Sequence, residues 1–235
     1  MGKSIMRYFV KIVVVCLIGY WLWGVFDPFR FAKPGIVSQE PIETETKLAS
    51  FPFTSYALFP RTFLIEPRMT YDISGRVLHK RQYFTNGFFG DIIPYDFALG
   101  WKSMSDLNII RPYMSFDHHG VHAIGRYYTF KYHWNADTPP EYIAAMGDTS
   151  IKSNNHLIPA NMEIFLKLWR ANTGDIVRLR GYLVDVEWSE QPGWIWKTAL
   201  TPSGNYFTKW GDNKPDCQTI FVTDVTINEK NLFEQ

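Results

Sequence analysis

The chain has 235 residues and a formal net charge of +1, and aromatic residues make up 17% of it. This length suits one well-buried domain or two small ones, and the aromatic content favours an ordered β-rich body over a disordered chain. The near-neutral charge gives no electrostatic reason to expect a nucleic-acid partner. With only two cysteines, Cys16 and Cys217, a small disulfide-stapled scaffold is excluded.

The first element in the chain is an apolar run over residues 8–26 that carries one charge, Lys11. A helix of that length covers roughly 28 Å at about 1.5 Å per residue, close to the hydrocarbon thickness of a bilayer. Tyr20, Trp21 and Trp23 are placed for an interfacial aromatic belt. No A-x-A-like site follows, which favours an uncleaved signal anchor over a cleaved signal peptide or a buried core helix. We therefore predict one transmembrane helix that contacts the lipid bilayer through residues 8–26.

The charges that flank this run predict its orientation. Lys3 and Arg7 precede it together with the terminal amine and no acid, while Arg30 and Lys33 follow it. The positive-inside bias favours a cytoplasmic N-terminus and a C-terminal domain on the far side of the membrane. In a Gram-negative cell this predicts a single-pass inner-membrane protein with a periplasmic domain.

The sequence predicts three parts of the chain. Residues 1–27 are predicted as the cytoplasmic N-terminus and transmembrane helix. Residues 28–50 are rich in proline and glutamate and poor in large apolar side chains, which is typical of an extended linker. Residues 51–235 are predicted to form one exported β-rich domain.

Within that domain, alternation of apolar and polar residues predicts strands, while residues 91–106 have no clear period and predict loops with a short helical turn. A hairpin turn is predicted at Ser74-Gly75. Met162, Phe165, Leu166 and Trp169 share one face of a predicted helix. That helix runs from about Pro159 to Asn172, and the predicted strands cover residues 62–83, 117–134, 176–187, 194–200 and 217–227. The predicted fold class is mostly β (α+β): an N-terminal transmembrane helix, then a small β barrel or sandwich with one packed amphipathic helix.

Four parts of the predicted exported domain carry a resemblance to known sequences: Tyr71–Leu78, Asp96–Trp101 with Met104–Asp106, His156–Asn161 and Gly174–Val184. Together they resemble a family of uncharacterised, single-pass membrane-anchored bacterial proteins. The resemblance covers most of the domain, and it implies the anchored topology and a one-domain organisation. The family has no assigned activity, so the resemblance implies no chemistry. Members of the family tend to end with a Cys-Glu pair, where this chain has Cys217-Gln218.

The run Asp117-His118-His119-Gly120-Val121-His122 is a candidate metal site. On a strand, His118 and His122 point to the same side, where two neutral imidazoles and a carboxylate could bind Zn²⁺. The spacing matches no established zinc pattern, and the alternative is a solvated turn that leads into a strand. Zinc is the one cofactor that the sequence suggests.

His156 is a candidate general base because it lies in a loop just before the predicted helix. Asp96 or Asp106 could supply the carboxylate partner that such a base needs. The alternative is that His156 fixes this turn by hydrogen bonds to the backbone. Familiar nucleophile and nucleotide-binding motifs are absent, including G-x-S-x-G, the Walker A loop and G-x-G-x-x-G. Cys217 has no histidine close to it in the sequence that would activate its thiol, so it is expected to be a lone thiol, free or paired with another chain.

A third candidate site is a ligand-binding face. Arg178, Arg180 and Tyr182 share one side of a strand, where they could bind an anionic or glycan ligand, as on an OB-like barrel. Trp194 and Trp196 flank the nearby turn and could form an exposed hairpin tip that contacts a partner or sugar rings. The alternative is an ordinary solvent-facing strand.

These features predict a binding or assembly protein of the cell envelope rather than an enzyme. The expected partner is another protein of a membrane complex, with oligomerisation left open and nucleic acid disfavoured. The alternative is an envelope hydrolase that uses His156 with Asp96 or Asp106 and that could depend on a metal at His118 and His122.

Overall fold

The computed structural model describes residues 10–18, 27–56, 60–83, 91–120, 128–146, 151–193, 195–200 and 217–232. Within these residues the chain is mostly β. The strands are β1 (Ile42–Glu45), β2 (Phe51–Thr54), β3 (Thr62–Gln82), β4 (Tyr95–Gly100), β5 (Met114–Gly120), β6 (Tyr128–Trp134), β7 (Lys152–Pro159), β8 (Ile176–Trp188), β9 (Ile195–Trp196) and β10 (Gln218–Ile227). The helices are α1 (residues 10–18), α2 (Leu107–Tyr113), α3 (Pro140–Met146) and α4 (Met162–Arg170), with 3-10 turns at Lys102–Ser105 and Lys230–Leu232.

Five of the described strands close into a barrel. β3 pairs antiparallel with both β4 and β8, β4 pairs antiparallel with β7, β7 runs parallel to β10, and β10 pairs antiparallel with β8. β3 can serve two neighbours because it is 21 residues long and its register shifts after Pro67 and after Val77, which lets it bend. This strand order, with α4 between β7 and β8, is the connectivity of the five-stranded Greek-key OB-fold.

The barrel interior is filled by alternate residues of these strands. α4 covers one end with Ile164 and Leu168, and the side chain of Asn161 caps its first turn by accepting from the backbone N–H of Ile164 at 2.9 Å. The predicted apolar face is wrong: Met162, Leu166 and Trp169 are exposed on the opposite side of α4, and only Phe165 of that set is partly buried against the core. The interior side chains include Tyr71, Ile73, Val77, Tyr95, Phe97, Leu99, Leu157, Val177, Leu179, Leu183, Ile220 and Val222.

Two further apolar clusters lie on the outside of the barrel. One includes Ala98 of β4 and is covered by residues 27–32, α2 and β5. The other includes Ile158 of β7 and is covered by β2 and residues 92–93. Since side chains two residues apart share a face of a strand, Asp96 and His156 lie between these clusters on the outer face of β4 and β7.

The segment predicted as a linker, residues 28–50, makes extensive contacts with the barrel. Phe29 and Val37 are buried, and β1 pairs antiparallel with β3 in a register that sets Glu43 opposite Tyr71. The backbone N–H of Val37 donates to the Ser105 hydroxyl oxygen at 2.9 Å. This segment therefore belongs to the folded unit over much of its length.

The predicted turn at Ser74-Gly75 is wrong, because β3 runs without interruption through both residues. Gly75 has a different role. A Cβ atom at this position would lie 3.0 Å from the Cβ of Leu99, so the missing side chain allows β4 to approach closely.

The prediction of a transmembrane helix is also wrong. In the part of the chain that the structure describes, no helix is long and apolar enough to cross a membrane. The fold class with an N-terminal membrane span, the signal anchor and the single-pass inner-membrane location with a periplasmic domain are corrected accordingly.

Candidate active site

His156 and Asp96 form a close pair on the outer face of the barrel. They lie directly opposite each other on the antiparallel strands β7 and β4, and His156 Nδ1 is 2.6 Å from Asp96 Oδ1. The second carboxylate oxygen of Asp96 accepts a hydrogen bond from the Tyr83 hydroxyl at 2.5 Å. The Asp96 side chain is 2% exposed and that of His156 is 12% exposed, so the carboxylate is buried beneath an imidazole that reaches the surface.

Asp106, the other predicted carboxylate partner, is not part of this pair. It is the N-cap of α2, where its side chain accepts the backbone N–H of Asn108 at 2.9 Å. This is the ordinary role of an aspartate that precedes a helix.

Cys217 is the third member of the cluster. It immediately precedes β10, and the parallel register of β10 and β7 sets Thr219 opposite His156. The Cys217 side chain is a free thiol, half-buried, and lies near enough to the His156 imidazole to raise its pKa. Because Nδ1 is bound to Asp96, Nε2 is the ring nitrogen that remains for a second partner. Asn154 Nδ2 also donates to Cys217 Sγ, at 3.4 Å.

The electrostatics of the cluster favour a protonated imidazole. Burial by itself disfavours the charged form and lowers the pKa of His156. The charge and hydrogen bond of Asp96, and then the hydrogen bond and charge of Cys217, act in the opposite direction and outweigh it. The net result is that the pKa of His156 lies well above its usual value near 6.5.

The segment around β9 holds the cluster in place. The Trp196 ring meets the His156 ring edge to face, with centroids 5.5 Å apart, and its indole N–H donates to the Thr219 hydroxyl oxygen at 2.8 Å. The backbone N–H of Ala199 donates to the Cys217 carbonyl oxygen at 3.0 Å. Trp196, predicted as a ligand contact on a hairpin tip, is therefore a half-buried neighbour of His156. Trp194 lies outside the described residues.

The predicted ligand-binding face on β8 has its charges paired within the sheet. Arg178 binds Asp72 through two hydrogen bonds of 2.7 and 2.6 Å. Arg180 Nη1 donates to Asp224 at 3.3 Å, and Tyr182 packs against the outer cluster around Ile158. This face lies across β10 from β7, apart from the cysteine cluster.

The predicted zinc site cannot be assembled from the described residues. His118 lies in β5 opposite Phe130 of β6, but its side chain and all of His122 are outside what the structure describes. Among the described side chains, no group of three or more His, Cys, Asp or Glu is placed to hold a metal ion. Zinc binding at His118 and His122 stays a prediction.

A cavity of about 500 Å³ lies on another part of the surface, between residues 27–29, β3 and the junction of α2 with β5. Arg111 lines it and donates to Asp27 Oδ2 at 3.0 and 2.5 Å. None of the three residues of the cysteine cluster lines this cavity, so it gives no direct support for chemistry at Cys217.

Comparison with known proteins does not identify the chain. No family model matches it, and no curated protein and no solved structure matches it. The resemblance drawn from sequence segments therefore stays a prediction. Proteins with the same strand order have many different activities, so the function depends on the residues of the cluster rather than on the fold.

Proposed function

We propose that this protein is a cysteine-dependent acyl-transfer enzyme, a hydrolase or transferase of esters, thioesters or amides. Cys217 is the nucleophile, His156 is the general acid and base, and Asp96 orients the imidazole. The observation that carries the proposal is one imidazole with a buried carboxylate on Nδ1 and a free thiol near enough to raise its pKa. This arrangement of nucleophile, base and orienting carboxylate recurs in acyl-transfer enzymes of unrelated folds.

The reaction proceeds in two halves. In the resting pair His156 holds the proton of the Cys217 thiol on Nε2, which agrees with its raised pKa. The sulfur attacks the carbonyl carbon to form a C–S bond, and the electron pair of the C=O π bond moves to the oxygen. His156 then gives that proton to the leaving amine or alcohol as its bond to carbon breaks, which leaves a thioester on Cys217. Water, or an acceptor alcohol or amine, loses a proton to His156, attacks the thioester, and releases the acyl product together with the restored thiol.

Two contacts suit these roles. The Tyr83 hydroxyl donates to Asp96 Oδ2, so the carboxylate stays fixed while Oδ1 holds the imidazole. Trp196 lies against the His156 ring and limits its rotation. Both contacts keep Nε2 directed at the sulfur, and orientation of this kind is what a proton transfer to or from a reacting group requires.

The test uses p-nitrophenyl acetate, whose release of nitrophenolate reports acyl transfer. In a Cys16→Ala background, Cys217 should become acetylated, as shown by mass spectrometry, with a burst of nitrophenolate. The matched control is Cys217→Ser, in which exposed Cys16 is the remaining thiol. We expect Cys217 to react at least about 100-fold faster than Cys16, and His156→Gln to lower the Cys217 rate by about 10²–10⁴-fold. A Cys217 that reacts no faster than Cys16 would contradict the proposal.

The binding or assembly role expected from sequence stays a prediction. The two roles predict different results for acylation of Cys217. A binding module is not expected to acylate this thiol faster than an ordinary exposed one, whereas the proposed enzyme is. The hydrolase predicted as the alternative used His156 with Asp96 or Asp106, and no side-chain nucleophile was assigned to it. Cys217 supplies that part.

A further inference from the structure

We infer that Asn154 is a further catalytic residue of this site, whose side-chain amide donates to the oxyanion that forms during acyl transfer to Cys217. The inference rests on the proposed function and adds to it. A cysteine nucleophile needs a donor for the carbonyl oxygen as well as a base for its proton, and removal of such a donor costs about 10²–10³ in rate in other enzymes.

The position of Asn154 in the fold fits this role. It lies on β7 two residues before His156, so the two side chains share the outer face of the strand. Asn154 is 1% exposed, and its Nδ2 donates to Cys217 Sγ at 3.4 Å. Asn154 is buried and its backbone pairs with Ala98 of β4, which limits its movement, and a donor held in place is what electrostatic stabilisation of a transition state requires.

The geometry of the adduct explains how one amide could serve both the sulfur and the oxyanion. When Sγ bonds to a carbonyl carbon, the electron pair of the C=O π bond moves to the oxygen, which then lies two bonds from Sγ. A donor 3.4 Å from Sγ is within reach of this oxygen at about 2.7–3.1 Å, the range expected for an oxyanion donor. The same N–H group that contacts the resting sulfur can then turn to the new negative charge without a backbone movement.

Among the described residues, three other donors near the thiol are engaged elsewhere. The backbone N–H of Thr219 donates to the Thr198 hydroxyl oxygen at 2.9 Å, and the indole N–H of Trp196 donates to the Thr219 hydroxyl oxygen. The amide of the next residue, Asn155, is turned to the barrel interior, where Nδ2 donates to the Ser153 hydroxyl oxygen at 2.8 Å. Within the part of the chain that the structure describes, Asn154 is the side-chain amide that donates to the sulfur.

The experiment separates oxyanion stabilisation from activation of the thiol. Alkylation of Cys217 by iodoacetamide requires a reactive sulfur but develops no carbonyl oxyanion, whereas acylation by p-nitrophenyl acetate requires both. In the Cys16→Ala background, Asn154→Ala and the nearly isosteric Asn154→Asp should lower the ratio of acylation rate to alkylation rate by about 10²–10³-fold. Asn155→Ala is the matched control, because it removes a neighbouring buried amide from the other face, and its ratio should stay within about threefold of the parent. Circular dichroism checks that each variant is folded.

The outcomes are distinct. If the parent acylates Cys217 and the Asn154 variants keep its ratio of acylation to alkylation, the inference about Asn154 is wrong and the proposed function stands. If both rates fall by the same factor, Asn154 acts on the sulfur alone and the inference is again wrong. If the parent itself does not acylate at Cys217, the proposed function fails and the inference fails with it.

Discussion

His156 has two different neighbours, and each decides a different property of its ring. Asp96 on Nδ1 fixes the orientation of the ring and favours its positive charge, and in the proposed reaction Cys217 exchanges a proton with the other nitrogen. The sequence identified His156 and Asp96 as partners through the kind of chemistry that each side chain can do. It also suggested Asp106, which the fold uses as a helix cap. A choice between two carboxylates by residue type alone could not have been made, because both are equally able to orient a base.

The raised pKa of His156 predicts a pH-dependent contribution to stability. Because this pKa is higher in the folded state than in the unfolded chain, the contribution is fully present below about pH 6.5 and is lost as the pH rises through the folded value. We therefore expect His156→Gln to lower the free energy of unfolding most near about pH 6 and progressively less toward alkaline pH. Urea titrations of both proteins at several pH values measure this difference. A difference that stays constant or grows with pH would contradict the assignment.

At the scale of elements, the segment before the barrel is attached by one buried arginine of β3. The guanidinium of Arg76 donates to the backbone carbonyls of Ser105, Gly174, Lys33 and Gly35 at 2.6–2.9 Å. Burial lowers the pKa of Arg76 to about 10, with the charges of two aspartates opposing the change, so the side chain remains charged at neutral pH. One side chain thereby joins the segment around residue 34, the 3-10 turn after β4 and the loop after α4.

Loss of this side chain should destabilise the fold strongly. Arg76→Met leaves buried carbonyl groups without donors, at a cost of about 1–3 kcal/mol each, and we expect a loss of at least about 3 kcal/mol in the free energy of unfolding. Arg68→Met is the control, because Arg68 forms an exposed pair with Glu66 and such pairs contribute about 1 kcal/mol or less. Denaturant unfolding of the two variants measures the contrast. Equal effects would show that the buried contacts of Arg76 contribute little.

At the scale of the whole molecule, closure of the barrel brings distant parts of the chain together. Asp96 and His156 are 60 residues apart in sequence, and Asn154 and Cys217 are 63 apart. The antiparallel pairing of β4 with β7 and the parallel pairing of β7 with β10 set these residues side by side on the outer surface. The cysteine cluster therefore exists only in the closed barrel.

The same closure predicts that residues 27–45 unfold with the barrel. Val37 is buried with its N–H on Ser105, and β1 is hydrogen-bonded to β3. We expect the amides of Val37 and β1 to be protected from hydrogen exchange for much longer than in an extended linker, because exchange requires an opening of the sheet. Native-state exchange followed by mass spectrometry tests this at the level of peptides. Exchange of residues 36–45 at the rate of an unstructured chain would contradict the packing.

The sequence by itself determined the features that depend on neighbours along the chain. Alternation over residues 176–187 predicted β8, and the period of the apolar residues predicted α4 to within a few residues, although it assigned the exposed residues Met162, Leu166 and Trp169 to the packed face. Local pattern was misleading where distant packing decides the structure. The apolar run over residues 8–26 predicted a membrane-spanning helix that is not found among the described residues, and Ser74-Gly75 predicted a turn where β4 requires a close approach.

Only the tertiary structure decided the candidate site. Nothing near Cys217 in the sequence suggests an activated thiol, and the residues that surround it come from β7 and from the segment around β9. Periodicity reports which side of a strand a residue occupies, but it carries no information on which strand lies next to it. The pairing of β7 with β10 follows from burial of the whole barrel interior. Together with the pairing of β4 with β7, it brings Cys217, His156 and Asp96 close to one another.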